Sequence, residues 1–299
     1  MKKIGLVMAF LTLGTVALFA QTGSYVLPYD KFNYLHSAET AIPPKHLHPR
    51  ISLHYWYYSA SEYFDTSGHA VDLHGTYSQN WIIPAISFGA GDVAEFGFAV
   101  PFVMENVEYE SSDLGTSDGS GLGDMMIWVK AAVTKNPWFG FRFAAKLATG
   151  NSDPGENELQ TGTGQTDLDM GFQFSHKPEK MGLLFDFNIA YRLRLEWEGE
   201  GVKIDPGDEG RLGLYIGGKP IEGFGILFGG DGFISFNDKL EGYGEVKKSY
   251  RASSLIGIKM IYDTPFGLGF DGGIKMDIAG KDAFSGFGFT LGASYQPEF

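Results

Sequence analysis

The residues of this chain best suited to chemistry are charged side chains set two positions apart. Asp167 and Asp169 form one such pair and Arg192 and Arg194 another, while Asp124, Lys130, Arg142, Lys146 and Asp186 hold similar places in neighbouring stretches. A spacing of two puts both members on one face of a β-strand, because successive side chains point to opposite faces. The same face carries small residues such as Gly140, Gly171, Gly213, Gly269 and Gly288. Charges of both signs among glycines suit a confined interior, where buried charges must pair and where a narrow section of them would set selectivity. Asp124, Lys130, Arg142, Lys146, Asp167, Asp169, Asp186, Arg192 and Arg194 are therefore candidates for lumen and selectivity roles. A structural salt-bridge network and a selective constriction are both open to them, and one set of residues can serve as both.

Other chemistries find less support. Gly119-Ser120-Gly121-Leu122-Gly123 has the glycines of a phosphate cradle, but an alternating strand follows it and not a helix. Lys45-His46-Leu47-His48, with His36 and His54 nearby, lacks a carboxylate at a fixed spacing and reads as a solvated tail, so no metal is assigned. The acidic stretches 113–118, 153–158 and 196–209 read as solvated anionic loops in preference to cation sites. His54, His69 and His74 fall near the first loop without a serine motif or a paired-acid spacing, so no catalytic residue and no cofactor is assigned. A net charge of -13 argues against nucleic-acid partners, and the absence of cysteine removes any disulfide framework or lipoprotein anchor.

The elements that must position these charges are strands. Residues 1–20 read as a signal peptide, with Lys2 and Lys3 ahead of a short apolar run. Residues 21–49, with Pro28, Pro43, Pro44 and Pro49, read as an irregular segment that is either a periplasmic tail or a small plug. From residue 50 to 299, period-2 stretches alternate with connections that are short, then long. The stretch Leu183 to Trp197 is the clearest, with Phe185, Phe187, Ile189, Tyr191, Leu193, Leu195 and Trp197 on one parity. The last stretch, Gly286 to Phe299, keeps Phe287, Phe289, Leu291, Ala293, Tyr295 and Phe299 on one face and ends the chain on an aromatic residue. About twelve strands result, and the class is all-β: a transmembrane antiparallel up-and-down barrel with short periplasmic turns and long extracellular loops. Trp138, Trp197, Tyr262 and Tyr295 fall near strand ends, where aromatic girdles sit. Pro84 and Pro101, counted back from the Gly91-Asp92 turn, lie nearly opposite each other on adjacent strands and cannot donate to the ladder. They mark either a lateral opening in the wall or an ordinary β-bulge.

Gly121-Leu122-Gly123-Asp124, Leu147-Ala148-Thr149-Gly150 and Gly162-Thr163-Gly164-Gln165-Thr166-Asp167-Leu168-Asp169, in that order, resemble the outer-membrane family named for the meta-pathway of phenol degradation. The resemblance implies an outer-membrane transporter or channel for aromatic or other hydrophobic compounds. The leading expectation is passive passage of small hydrophobic or aromatic molecules through a barrel in the bacterial outer membrane. A structural or adhesive barrel with a filled lumen is the alternative, and an outer-membrane enzyme the third. The implied partners are outer-membrane lipid, a small-molecule solute and the barrel-assembly machinery, for which Phe299 is the candidate contact. No oligomeric state is specified.

Overall fold

The computed structural model describes residues 48–91, 93–110, 116–135, 137–151, 158–177, 181–199, 202–236, 239–240, 244–245 and 251–297. The segment read as a signal peptide, all but the end of the 21–49 segment, and Phe299 lie outside the described residues. Eighteen strand segments follow in order: β1 (Pro49–Phe64), β2 (Ala70–Ala90), β3 (Ala94–Ala99), β4 (Phe102–Tyr109), β5 (Thr116–Leu122), β6 (Met125–Lys135), β7 (Trp138–Leu147), β8 (Asp167–His176), β9 (Gly182–Arg194), β10 (Trp197–Gly199), β11 (Val202–Asp205), β12 (Glu209–Ile221), β13 (Phe224–Ser235), β14 (Lys239–Leu240), β15 (Gly244–Glu245), β16 (Ala252–Asp263), β17 (Leu268–Lys281) and β18 (Ala283–Tyr295).

Fourteen of these segments form one antiparallel sheet, and β1 pairs with β18 on one side and β2 on the other, which closes it into a barrel. The wall has twelve passes, because β3 and β4 are two halves of one pass and β5 and β6 two halves of the next. Both chain ends of the barrel lie on the side of the short turns, which is the periplasmic side. Closure is what removes the unpaired edges that a strand could not expose to lipid.

The alternation seen in the sequence is the alternation of the wall. Leu53, Phe96, Ile127, Phe143, Met170, Phe228, Ile258, Ile274 and Leu291 are exposed on the outer surface, while polar and charged residues of the opposite parity are buried inside. This inside-out arrangement is that of a barrel surrounded by lipid. Trp138, Tyr262 and Tyr295 stand at the short-turn ends of β7, β16 and β18, with Tyr262 and Tyr295 exposed.

Three readings need correction. Thr116 to Asp118, taken from the sequence as the end of an acidic loop, belong to the strand Thr116–Leu122 in register with β4. The stretch read as one strand from Leu183 to Trp197 ends at Arg194, and Trp197 belongs to the separate small sheet β10-β11-β14-β15 built from the long connections. His54 does not cluster with His69 and His74: it pairs with Ile83 and Gly292 low in the barrel, whereas the other two flank the outer hairpin between β1 and β2.

Candidate functional site: the barrel lumen

The lumen has two unlike walls. Along β6 to β12 it is ionic. Arg142 on β7 and Arg192 on β9 both converge on Asp169 of β8, Arg142 Nη1 at 3.5 Å from Oδ1 and Arg192 Nη2 at 3.3 Å from Oδ2. Glu209 at the start of β12 receives Arg211 at 2.9 Å and Arg194 at 3.5 Å. Arg194 also donates to Gln165 Oε1 at 3.1 Å. Arg142 and Arg192 are each only 1 % exposed, so these charges are held by one another and not by bulk water. Lower down, Lys130 meets Glu95 at 3.4 Å, and Glu95 also accepts from the Trp128 indole at 2.9 Å. Asp186 accepts from Ser175 Oγ at 2.7 Å, within electrostatic reach of Lys259. The nine lumen candidates are thus all inward-facing and buried, but they divide among separate groups.

Asp124, Lys146 and Asp167 form a distinct assembly. The Asp124 carboxylate accepts from the backbone N–H of Thr149 (3.2 Å), Gly150 (3.1 Å) and Thr163 (2.9 Å) and from Thr163 Oγ (2.8 Å). Lys146 lies 3.6 Å from Asp124 and 3.0 Å from Asp167. Asp124 thereby fastens both ends of the long β7–β8 connection to the wall. Thr161 Oγ donates to Leu122 O at 3.0 Å, and Leu159 N donates to Asp118 O at 2.9 Å. Within the described part of the connection, Leu159 packs against the aromatic side of the lumen.

That second wall runs over β1, β2, β4, β6 and β18. Trp56, Tyr58, Tyr77, Trp81, Ile83, Val103, Val107, Met126, Trp128 and Phe284 form one buried apolar cluster. Tyr77 stacks on Phe284 at 4.4 Å near the outer end, Trp56 and Trp81 meet edge to face at 6.3 Å, and Tyr58 donates to Asp277 at 2.7 Å. Aromatic pairs at these separations hold one another in fixed orientations.

The Asp124 assembly is made of the glycine-rich motifs picked out in the sequence, and the chain also matches a family model. The model of the putative MetA-pathway of phenol degradation matches residues 58–292. The chain belongs to this family. Solved structures with a similar fold include the COG4313 outer membrane channel from Pseudomonas putida F1, with 14 % identity, 86 % of this chain and 97 % of that chain covered, and a TM-score of 0.73. The translocator domain of the autotransporter NalP from Neisseria meningitidis has 8 % identity over 94 % of this chain and 99 % of that chain, with a TM-score of 0.53, and is similar as a barrel. No match was found among curated protein sequences.

In this family member the two prolines sit where the aromatic wall meets lipid. Register is unbroken across them: Ile82 pairs with Phe102 and Ala85 with Ala99, so Pro84 stands opposite Val100 and Pro101 opposite Ile83. Val100 N donates to Pro84 O at 3.2 Å, and Gly123 N donates to Pro101 O at 2.8 Å. In an antiparallel pair a residue directs its N and its O to the same neighbour. The donor missing at Pro84 therefore falls in the β2–β3/β4 seam, and the donor missing at Pro101 in the next seam. The one-residue bulge lies in that second seam, where Gly123, Asp124 and Met125 face Val100 and Pro101 between Phe102↔Leu122 and Ala99↔Met126. Pro84 is exposed on the outer face and Pro101 is buried on the inner one.

Sequence reasoning missed the aromatic wall. β1 and β2 carry aromatic residues on both parities, such as Tyr55 and Tyr57 outside against Trp56 and Tyr58 inside, so alternation alone does not say which set faces the lumen. Glu95 and Glu209 were also missed, and the signal that would have found them is their inward parity with Gly97 and Arg211.

Proposed function

We propose that this family member is a passive outer-membrane channel for small apolar or aromatic molecules, with a lateral exit at the Pro84–Pro101 interruption. The observation that carries the reading is the course of the aromatic wall. It begins under the outer connections at Tyr77, Phe284 and Leu159 and descends through Tyr58, Trp81 and Trp56 to Ile83 and Val103, which flank Pro101. An apolar solute moving along it stays in contact with rings and never has to strip the ion pairs opposite. The Trp81 indole N–H is buried and has no hydrogen-bond partner among the described residues, which leaves a donor for an oxygen-bearing ring. At the end of this path each of two adjacent seams lacks one ladder donor, so the wall opens there at lower cost than elsewhere.

Replacing both prolines restores the donors. The double variant Pro84→Val, Pro101→Val should insert normally yet take up an apolar aromatic probe into liposomes several-fold more slowly than the wild type. Unchanged uptake would rule out the lateral exit. The filled-barrel reading is favoured by the near-complete burial of Arg142 and Arg192; it predicts no uptake of any solute by the wild type.

A further inference from the structure

The periplasmic mouth carries a feature that neither lumen wall explains. Lys177, one residue past β8, forms an ion pair with Asp263 at the end of β16. β9, β12 and β13 lie between those strands in the sheet. Measured along the wall, four inter-strand steps amount to about 19 Å, which a lysine and an aspartate cannot reach together. The pair therefore crosses the opening as a chord. Its members are partly exposed, 13 % for Lys177 and 26 % for Asp263, so it stands at the wet rim.

Immediately inside this strut an apolar patch lies beside two buried lysines, Lys219 and Lys259, the latter in register with Leu227. Leu184 on β9 and Leu227 on β13 are both in register with Gly217 on β12, where a Cβ would stand 2.6 Å from Leu227 Cα. A Cβ at Gly225 would stand 2.6 Å from Leu184 Cδ1 and 2.9 Å from Ile261 Cγ1, so Leu184 reaches past β12 to β13 and β16. Leu184 and Leu227 are 0 % exposed and join Ile261 and Tyr215 in one cluster. Inward-facing aliphatic side chains at the end of a channel exclude water and close it by dewetting, and a partly exposed ion pair across them is weakly held and can release.

We propose that Lys177 and Asp263, with the floor of Leu184, Leu227 and Ile261, form a gate at the periplasmic mouth that passes water-soluble solutes only when the strut is released. Polar and apolar solutes then leave the barrel by different exits. The inference rests on the channel reading above, and its test separates the two. The chain contains no cysteine, so Lys177→Cys with Asp263→Cys gives a unique pair that a short thiol-to-thiol crosslinker can join across the mouth. The full chain, reconstituted in liposomes, is compared before and after crosslinking, which keeps the folded state common to both arms. Crosslinking should abolish swelling in a small neutral sugar and leave uptake of an apolar aromatic probe unchanged. In Lys177→Gln, Asp263→Asn, sugar swelling and planar-bilayer conductance should rise several-fold over the wild type. Sugar flux indifferent to both manipulations overturns the gate, and so does loss of apolar uptake on crosslinking. Failure of the wild type to take up the apolar probe sinks the channel reading instead.

Discussion

At the scale of single residues, Asp124 shows how a charge read as a selectivity element can act through the backbone. Its carboxylate takes three backbone N–H groups and one hydroxyl from the two ends of the β7–β8 connection, and Lys146 compensates its charge. The glycines of the motif serve this contact: the Gly150 and Gly162 backbones approach so closely that a Cβ on Gly162 would stand 2.5 Å from Gly150 Cα and 2.6 Å from Asp124 Oδ1. Asp124→Ala would leave the three backbone donors without their acceptor, while Lys146 keeps Asp167, at a cost of about 3 kcal/mol. The connection should loosen before the barrel does. We expect faster amide exchange at Thr149, Gly150 and Thr163 and a higher open-channel conductance, with the folded fraction on a heat-modifiability gel little changed. Exchange as slow as in the wild type would show that the connection is held by other contacts.

At the scale of the strand, the inward-facing glycines make room for the side chains on either side. Gly213 on β12 is in register with Asn188 on β9 and Asp231 on β13, and a Cβ there would stand 2.5 Å from Asn188 Nδ2 and 2.8 Å from Asp231 Oδ1. Asp231 in turn accepts from Tyr215 at 2.8 Å and pairs with Lys275 two strands away. Gly213→Val should therefore overpack the lumen by about 1–3 kcal/mol and lower the thermal midpoint in detergent. Leu214→Val, on the lipid face of the same strand, should be nearly silent by the same measurement, and equal effects would refute the distinction. The parity rule that identifies Gly213 as inward also accounts for what the sequence made legible. It holds wherever one face meets lipid and the other meets charge, as in β8, β9 and β12. It lapses at Thr116–Leu122 and in β10, β11, β14 and β15, where no face has to be apolar. It also lapses in β1 and β2, where both faces are aromatic. Some ion-pair partners were beyond it, because contacts such as Lys275 with Asp231 and Arg50 with Glu95 skip a strand and depend on the curvature of the closed wall.

At the scale of the whole molecule, the charge is divided between compartments. The chain carries a formal charge of -13, yet among the described residues the buried set has ten bases (Lys130, Arg142, Lys146, Arg192, Arg194, Arg211, Lys219, Arg251, Lys259 and Lys275) against eight acids (Glu95, Asp124, Asp167, Asp169, Asp186, Glu209, Asp231 and Asp277), joined by the inward-facing Glu105 and Asp271. The excess of acid therefore lies outside the buried lumen, and the two regions respond differently to salt. Solvent-exposed charges are screened over about 10 Å at 0.1 M and about 3 Å at 1 M, whereas buried charges are screened much less. At low salt the acidic exterior concentrates cations at the mouth; at high salt that bias fades and the balanced interior leaves little preference of its own. The reversal potential in a KCl gradient should accordingly move toward zero as mean salt rises from 0.1 M to 1 M, and its magnitude should stay small because the interior charges nearly cancel. A preference for cations that strengthens with salt would place the governing charges inside the barrel and contradict this division.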